Sequence, residues 1–204
     1  DKVDPRKAIT MRGQLAEQAA FQTKIRAVRA AAEKDRMKRA AELIAAEGNP
    51  PATYAKALAL LLLLRDCVDS KADWSLVLDY ICKLPDLFAN EPEVQENRAF
   101  ALAQVGNPTD AIAEIQTLID FAGPTPERLG LMGGRYKRLA DDASDEDDRR
   151  QRRDQAIDCY ERGMRLDFNA YYCSSNLPRL YRARAEKGDE DLAQDTVRFA
   201  IAAC

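Results

Sequence analysis

The chain has 204 residues, of which 46% are hydrophobic and 32% charged, with a net charge of −3. That apolar share suffices for a core without staples, and the acidic balance argues against a dedicated nucleic-acid binder. Histidine is absent, which removes the commonest general base and the commonest metal ligand.

From the N-terminus, Asp4-Pro5 reads as a helix start. A long helix is expected from Pro5 to about Ala32 and a second from Asp35 to Glu47, though nothing between Ala32 and Arg36 forces a break. The basic residues Arg26, Arg29, Lys34, Arg36, Lys38 and Arg39 read as a solvated face. Gly48-Asn49-Pro50-Pro51 ends this region. The spacing then predicts four helical pairs. The first joins Ala52–Asp66 to Asp73–Leu84, with Trp74 as a core residue. Its apolar run Ala57 to Leu64 is far shorter than the roughly 20 residues of a membrane span. The second pair joins Glu93–Val105 to Thr109–Phe121 across the turn Gly106-Asn107-Pro108.

The third pair is the most regular. It runs Leu129-x-x-Met132-Gly133-x-x-Tyr136, then Ala156-x-x-x-Tyr160-x-x-Gly163, and closes at Leu166-Asp167-Phe168. That order of large, small and aromatic positions is how a tetratricopeptide unit packs. Gly133 is expected to face Ala156, with Tyr136 and Tyr160 beside the contact. Gly130-x-x-Gly133-Gly134 lies within a helical pattern and reads as packing, not as a phosphate loop. An acidic run from Asp141 to Asp148, followed by Arg149, Arg150, Arg152 and Arg153, lengthens this unit and reads as solvated loop and helix start. The fourth pair is expected from Asn176 to Lys187, with Asn176 as cap and Pro178 in the first turn, and from Glu190 to Ala203.

The cysteines Cys67, Cys82, Cys159, Cys173 and Cys204 are odd in number and form no C-x-x-C pair. They read as small buried hydrophobes of a reducing compartment. No signal peptide precedes the first helix, so a cytoplasmic location is expected. Because the sequence starts at Asp1 without methionine, a piece of a longer protein is expected. The sequence implies no catalytic group, metal ligand or cofactor: Ser174 and Ser175 have no activating histidine.

Three stretches resemble a known family. They are Asp73-Trp74 with Lys83-Leu84-Pro85, then Leu131-Met132-Gly133-Gly134-Arg135-Tyr136-Lys137, then Asn169 to Leu180 with its Tyr171-Tyr172 pair. They resemble bacterial tetratricopeptide-type sensor domains related to the TRAF-binding central region of apoptosis-signal-regulating kinases. Gly134 stands where that family often has arginine, Arg135 where it has isoleucine, and Cys173-Ser174-Ser175 replaces Pro-Gly-Ile. The resemblance implies helical repeats and a sensing or scaffolding role attached to effector domains of conflict and signalling proteins. For the sensor subgroup it implies a nucleotide-derived signal.

The expected architecture is an all-α, tetratricopeptide-like stack over residues 50–204 with an N-terminal helical extension over 1–49. First helices of adjacent pairs line the concave surface of such a stack. Arg135, Tyr136 and Lys137, with Tyr171, Tyr172, Asn176 and Arg179 one repeat later, are therefore the candidate ligand residues. Arginine forks beside aromatic faces suit an anionic ligand or an acidic peptide. The expected function is non-enzymatic: a module binding a peptide, a partner domain or an anionic ligand, without nucleic acid or membrane. The alternative is assembly, a homodimer through the alanine-rich first helix.

Overall fold

A computed structural model describes residues 5–169 and 171–202, with side chains from residue 13 onward. The expected start at Asp4 and the thiol of Cys204 lie outside the described residues. Eleven helices occur among the described residues, and no strand. They form two compact units, residues 1–89 and 90–204. This division by packing falls later in the chain than the division by repeat content expected at residues 49–50.

The first unit opens with α1 (Pro5–Arg29) and α2 (Glu33–Glu47). The region is thus two helices, broken at Ala30–Ala32, where Arg36 Nε donates to the Ala31 carbonyl at 3.1 Å. Phe21, Ile25 and Val28 are the buried residues of α1. The apolar run forms α3 (Tyr54–Asp66), capped by Thr53, whose hydroxyl accepts from Lys56 N at 3.3 Å. Burying Leu60, Leu61, Leu63 and Leu64 on several sides makes α3 the core of this unit. Its partner α4 (Asp73–Cys82) packs Val77 and Ile81 inward, and the Tyr80 hydroxyl donates to the Ala57 carbonyl at 3.0 Å. Trp74 is only partly buried, not a core residue as expected. A one-turn helix α5 (Asp86–Ala89), which the periodicity did not predict, closes the unit. Cys82 is exposed, against expectation, because it ends α4 on the face away from Val77 and Ile81; Cys67, Cys159 and Cys173 are buried.

The second unit is three helical pairs: α6 (Pro92–Val105) with α7 (Pro108–Ala122), α8 (Pro126–Asp142) with α9 (Glu146–Leu166), and α10 (Tyr171–Arg184) with α11 (Asp189–Ala202). Each helix packs on the next in the chain, and the first helices α6, α8 and α10 also touch in sequence. This is the helical stack that the repeat spacing predicts. Prolines at the first turns of α6, α7 and α8 set those starts, where no amide donor is needed. Gly106 stops α6 in left-handed backbone at φ 109°, Ala185 follows the end of α10 at φ 58°, and Gly188, at φ 95°, leads into α11.

Two corrections concern the expected pairs. The acidic run is mostly helix: only Ala143–Asp145 separates α8 from α9, and Asp145 caps α9 by accepting from Asp148 N at 2.9 Å. Asn176 is not a cap, and Pro178 sits well inside α10. The helix extends back to Tyr171 because Cys173 and Ser174 are buried there against the preceding pair. Pro178 leaves the Ser174 carbonyl without its helical donor, while Ser174 Oγ donates to the Tyr171 carbonyl and Ser175 Oγ to that of Tyr172, both at 3.1 Å.

Candidate functional site

Helix α8 carries Gly130, Gly133 and Gly134, which the helical repeat places on one face. A Cβ on Gly130 would meet the Tyr172 ring at 2.9 Å. One on Gly133 would meet the Tyr160 ring at 3.1 Å. At Gly133 the nearest atoms are thus those of the Tyr160 ring, one turn beyond Ala156 on α9, and both residues are buried in one cluster. The two rings meet edge to face, with centroids 6.1 Å apart. Their hydroxyls converge beside Gly134, each 3.4 Å from where its Cβ would stand.

Arg135 follows on α8 and is buried, with 8% of its surface exposed. Its guanidinium carbon lies 5.2 Å from the centroid of the Phe100 ring on α6, a cation–π distance. Burial holds its pKa below the ordinary arginine value, with Tyr160 and Tyr172 close enough to act on its charge. Its Nε has no hydrogen-bond partner among the described residues, nor has the Tyr160 hydroxyl. Burial pushes the Tyr160 hydroxyl well above the ordinary tyrosine range, so it stays protonated.

Lys137 reaches across to α10 and donates to Asn176 Oδ1 at 2.6 Å, while Asn176 Nδ2 donates to the Tyr172 carbonyl at 2.8 Å. Burial and then the charge of Arg179 lower the Lys137 pKa; Asp141, one turn on along α8, opposes them. Among the described residues none of Arg135, Lys137 and Arg179 is in an ion pair. Five of the seven expected site residues therefore come together: Arg135, Lys137, Tyr172, Asn176 and Arg179. Two do not. Tyr136 turns into the core, packing against the clusters of both flanking pairs. Tyr171 is exposed and joins none of these contacts. Sequence reasoning missed Tyr160 and Phe100, which it had as packing or left unassigned. The spacing of the three glycines was the signal for Tyr160.

The charges of the acidic and basic run pair within α9, as in Arg152 Nε to Asp148 Oδ1 at 3.1 Å. Among the described residues no group of histidine, cysteine or acidic side chains is arranged to hold a metal, and no helix is long and apolar enough to cross a membrane.

Stacked helical pairs with small residues at the close contacts define a tetratricopeptide-like module. Residues 54–181 match the family described as Tetratricopeptide Repeats-Sensor, and the chain belongs to it. No curated protein matches the sequence.

Proposed function

We propose that this is a non-enzymatic sensor module whose groove between α8 and α10 binds an anionic ligand. One observation carries the reading: Arg135 and Arg179 both act on the charge of Lys137, Arg135 is buried, and none of the three is in an ion pair among the described residues. Buried charge without a partner is costly, and an anion would remove that cost. Binding would also tie α8 to α10 through the same side chains, which gives occupancy a route to the last pair and to any attached effector. The acidic side chain of a peptide, a partner domain and a small anion all meet this chemistry.

The test is thermal unfolding of the chain at fixed ionic strength with sulfate, phosphate, citrate and an acidic heptapeptide. A ligand that binds only the folded state raises the midpoint. At least one of these should raise it, and Arg179→Glu should abolish the rise. No rise with any of them ends the anion reading.

A second reading is assembly through α1, favoured by the uncovered face of Leu15, Ala16, Ala19 and Ala20. Light scattering with and without residues 1–47 decides it: one monomer mass in both rules it out.

A further inference from the structure

We infer that the group bound is a multiply charged oxyanion, seated beside Gly134 against the hydroxyls of Tyr160 and Tyr172 and Nε of Arg135. This rests on the anion reading above and says where the charge goes and what kind it is.

The position follows from geometry. The point a Cβ on Gly134 would occupy is 3.4 Å from both tyrosine hydroxyls. An oxygen accepting from both, at roughly 2.7 Å from each, can sit next to that point. Gly134 is only partly buried and the Tyr172 side chain is exposed, while the Tyr160 hydroxyl itself is closed off from solvent. Glycine leaves it empty.

The donors follow from what is left unpaired. Tyr160 Oη and Arg135 Nε are both buried, on side chains exposed by 0% and 8%, and neither has a partner among the described residues. Buried donors are almost always satisfied. The Tyr160 hydroxyl stands beside Gly134 with only the Tyr172 hydroxyl as a hydrogen-bonding neighbour, and Nε of the next residue, Arg135, is likewise without an acceptor. Asn176 Oδ1, an acceptor on α10, is already taken by Lys137. The pocket thus offers donors and wants an acceptor-only group.

The charge follows from the count. Arg135, Lys137 and Arg179 supply three positive charges, against Asp141 alone facing Lys137. A carboxylate, with a single charge, leaves the cluster in excess. A phosphate- or sulfate-type group carries up to two charges on several oxygens and can meet donors from α8, α9 and α10 together.

The experiment is calorimetric titration of the 204-residue chain with inorganic phosphate, sulfate and acetate, on the wild type, Gly134→Ala and Tyr160→Phe. Phosphate and sulfate should bind at least tenfold more tightly than acetate. Gly134→Ala should weaken phosphate at least tenfold while its unfolding midpoint stays at or above that of the wild type, since alanine favours the helix. Tyr160→Phe keeps the ring on Gly133 and should weaken phosphate about tenfold. Equal phosphate affinity in all three proteins overturns the seat beside Gly134 and leaves the anion reading standing. Acetate binding as tightly as phosphate overturns the multiply charged class. No heat with any anion, together with no thermal shift from the acidic heptapeptide, overturns the anion reading itself.

Discussion

Lys137 on α8 donates to Asn176 on α10 across 2.6 Å, and Asn176 in turn bonds the carbonyl of Tyr172. The amide thus fixes the ammonium at one end of the groove and the start of the tyrosine-bearing turn at the other. This explains why Asn176 lies inside its helix: its side chain bridges two first helices, where a cap would have served one.

Removing the buried charge should separate stability from binding. Arg135→Met keeps the length and apolar contact of the side chain but deletes an unpaired guanidinium. The ligand-free protein should hold its stability or gain about 1 kcal/mol. Any anion-induced rise in unfolding midpoint should vanish. Paired thermal melts with and without phosphate check both halves.

Gly163 tests the close approach of α9 to α10. A Cβ there would stand 2.6 Å from Cys173 Sγ and 3.4 Å from Leu129 Cβ. Gly163→Ala should destabilise by about 2 kcal/mol, because the interior has no slack for the methyl group. Cys173→Ala in the same chain opens the space, and most of the loss should return in the double variant. A denaturant double-mutant cycle measures the coupling.

Arg128 is the other buried arginine, and its role is structural. It donates to Glu96 at 2.9 Å and to the carbonyls of Ala122 and Gly123 at 3.1 and 2.6 Å, which joins α6, the end of α7 and the start of α8. Arg128→Met leaves Glu96 and two carbonyls without that donor. Urea unfolding should show a loss of about 3 kcal/mol, with phosphate affinity unchanged if the variant is measured folded.

Thiol reactivity should follow burial. Burial pushes Cys159 up to about 12 and Cys173 up to about 11, and raises Cys67 as well. Only thiolates react. In a Cys204→Ser chain at pH 8, an aromatic disulfide reagent should titrate Cys82 rapidly and the other three only after denaturation.

Much of the fold was legible because its punctuation is local. Pro92, Pro108 and Pro126 start helices by the rule for first-turn prolines, and Gly106 and Gly123 end them. The same rule failed at Pro178. There, burial of Cys173 and Ser174 outweighed the proline preference, and tertiary contacts of that kind cannot be read from neighbouring residues. Within the site, Arg135, Lys137, Tyr172, Asn176 and Arg179 could be grouped because adjacent repeats put first helices side by side. Tyr160 could not, since it comes from a second helix whose ring belongs to the core. Only the glycine spacing on α8 carries its hydroxyl into the groove. Arg135 was expected on the concave surface; its burial against Phe100, a partner from a repeat earlier in the chain, could not be read from its neighbours.

Three glycines on one face of α8 make that helix weaker than it need be, by roughly 1 kcal/mol at each position. Of the three, Gly134 alone has room for a methyl group at ordinary contact distance. Random substitution would therefore tend to fill it, since the first alanine to arrive would yield a sturdier protein. The open position beside the two hydroxyls is the kind of vacancy that drift closes and selection must keep reopening. A collection of related sequences would show this as glycine persisting at 134 wherever the groove is used, and alanine spreading wherever it has fallen idle.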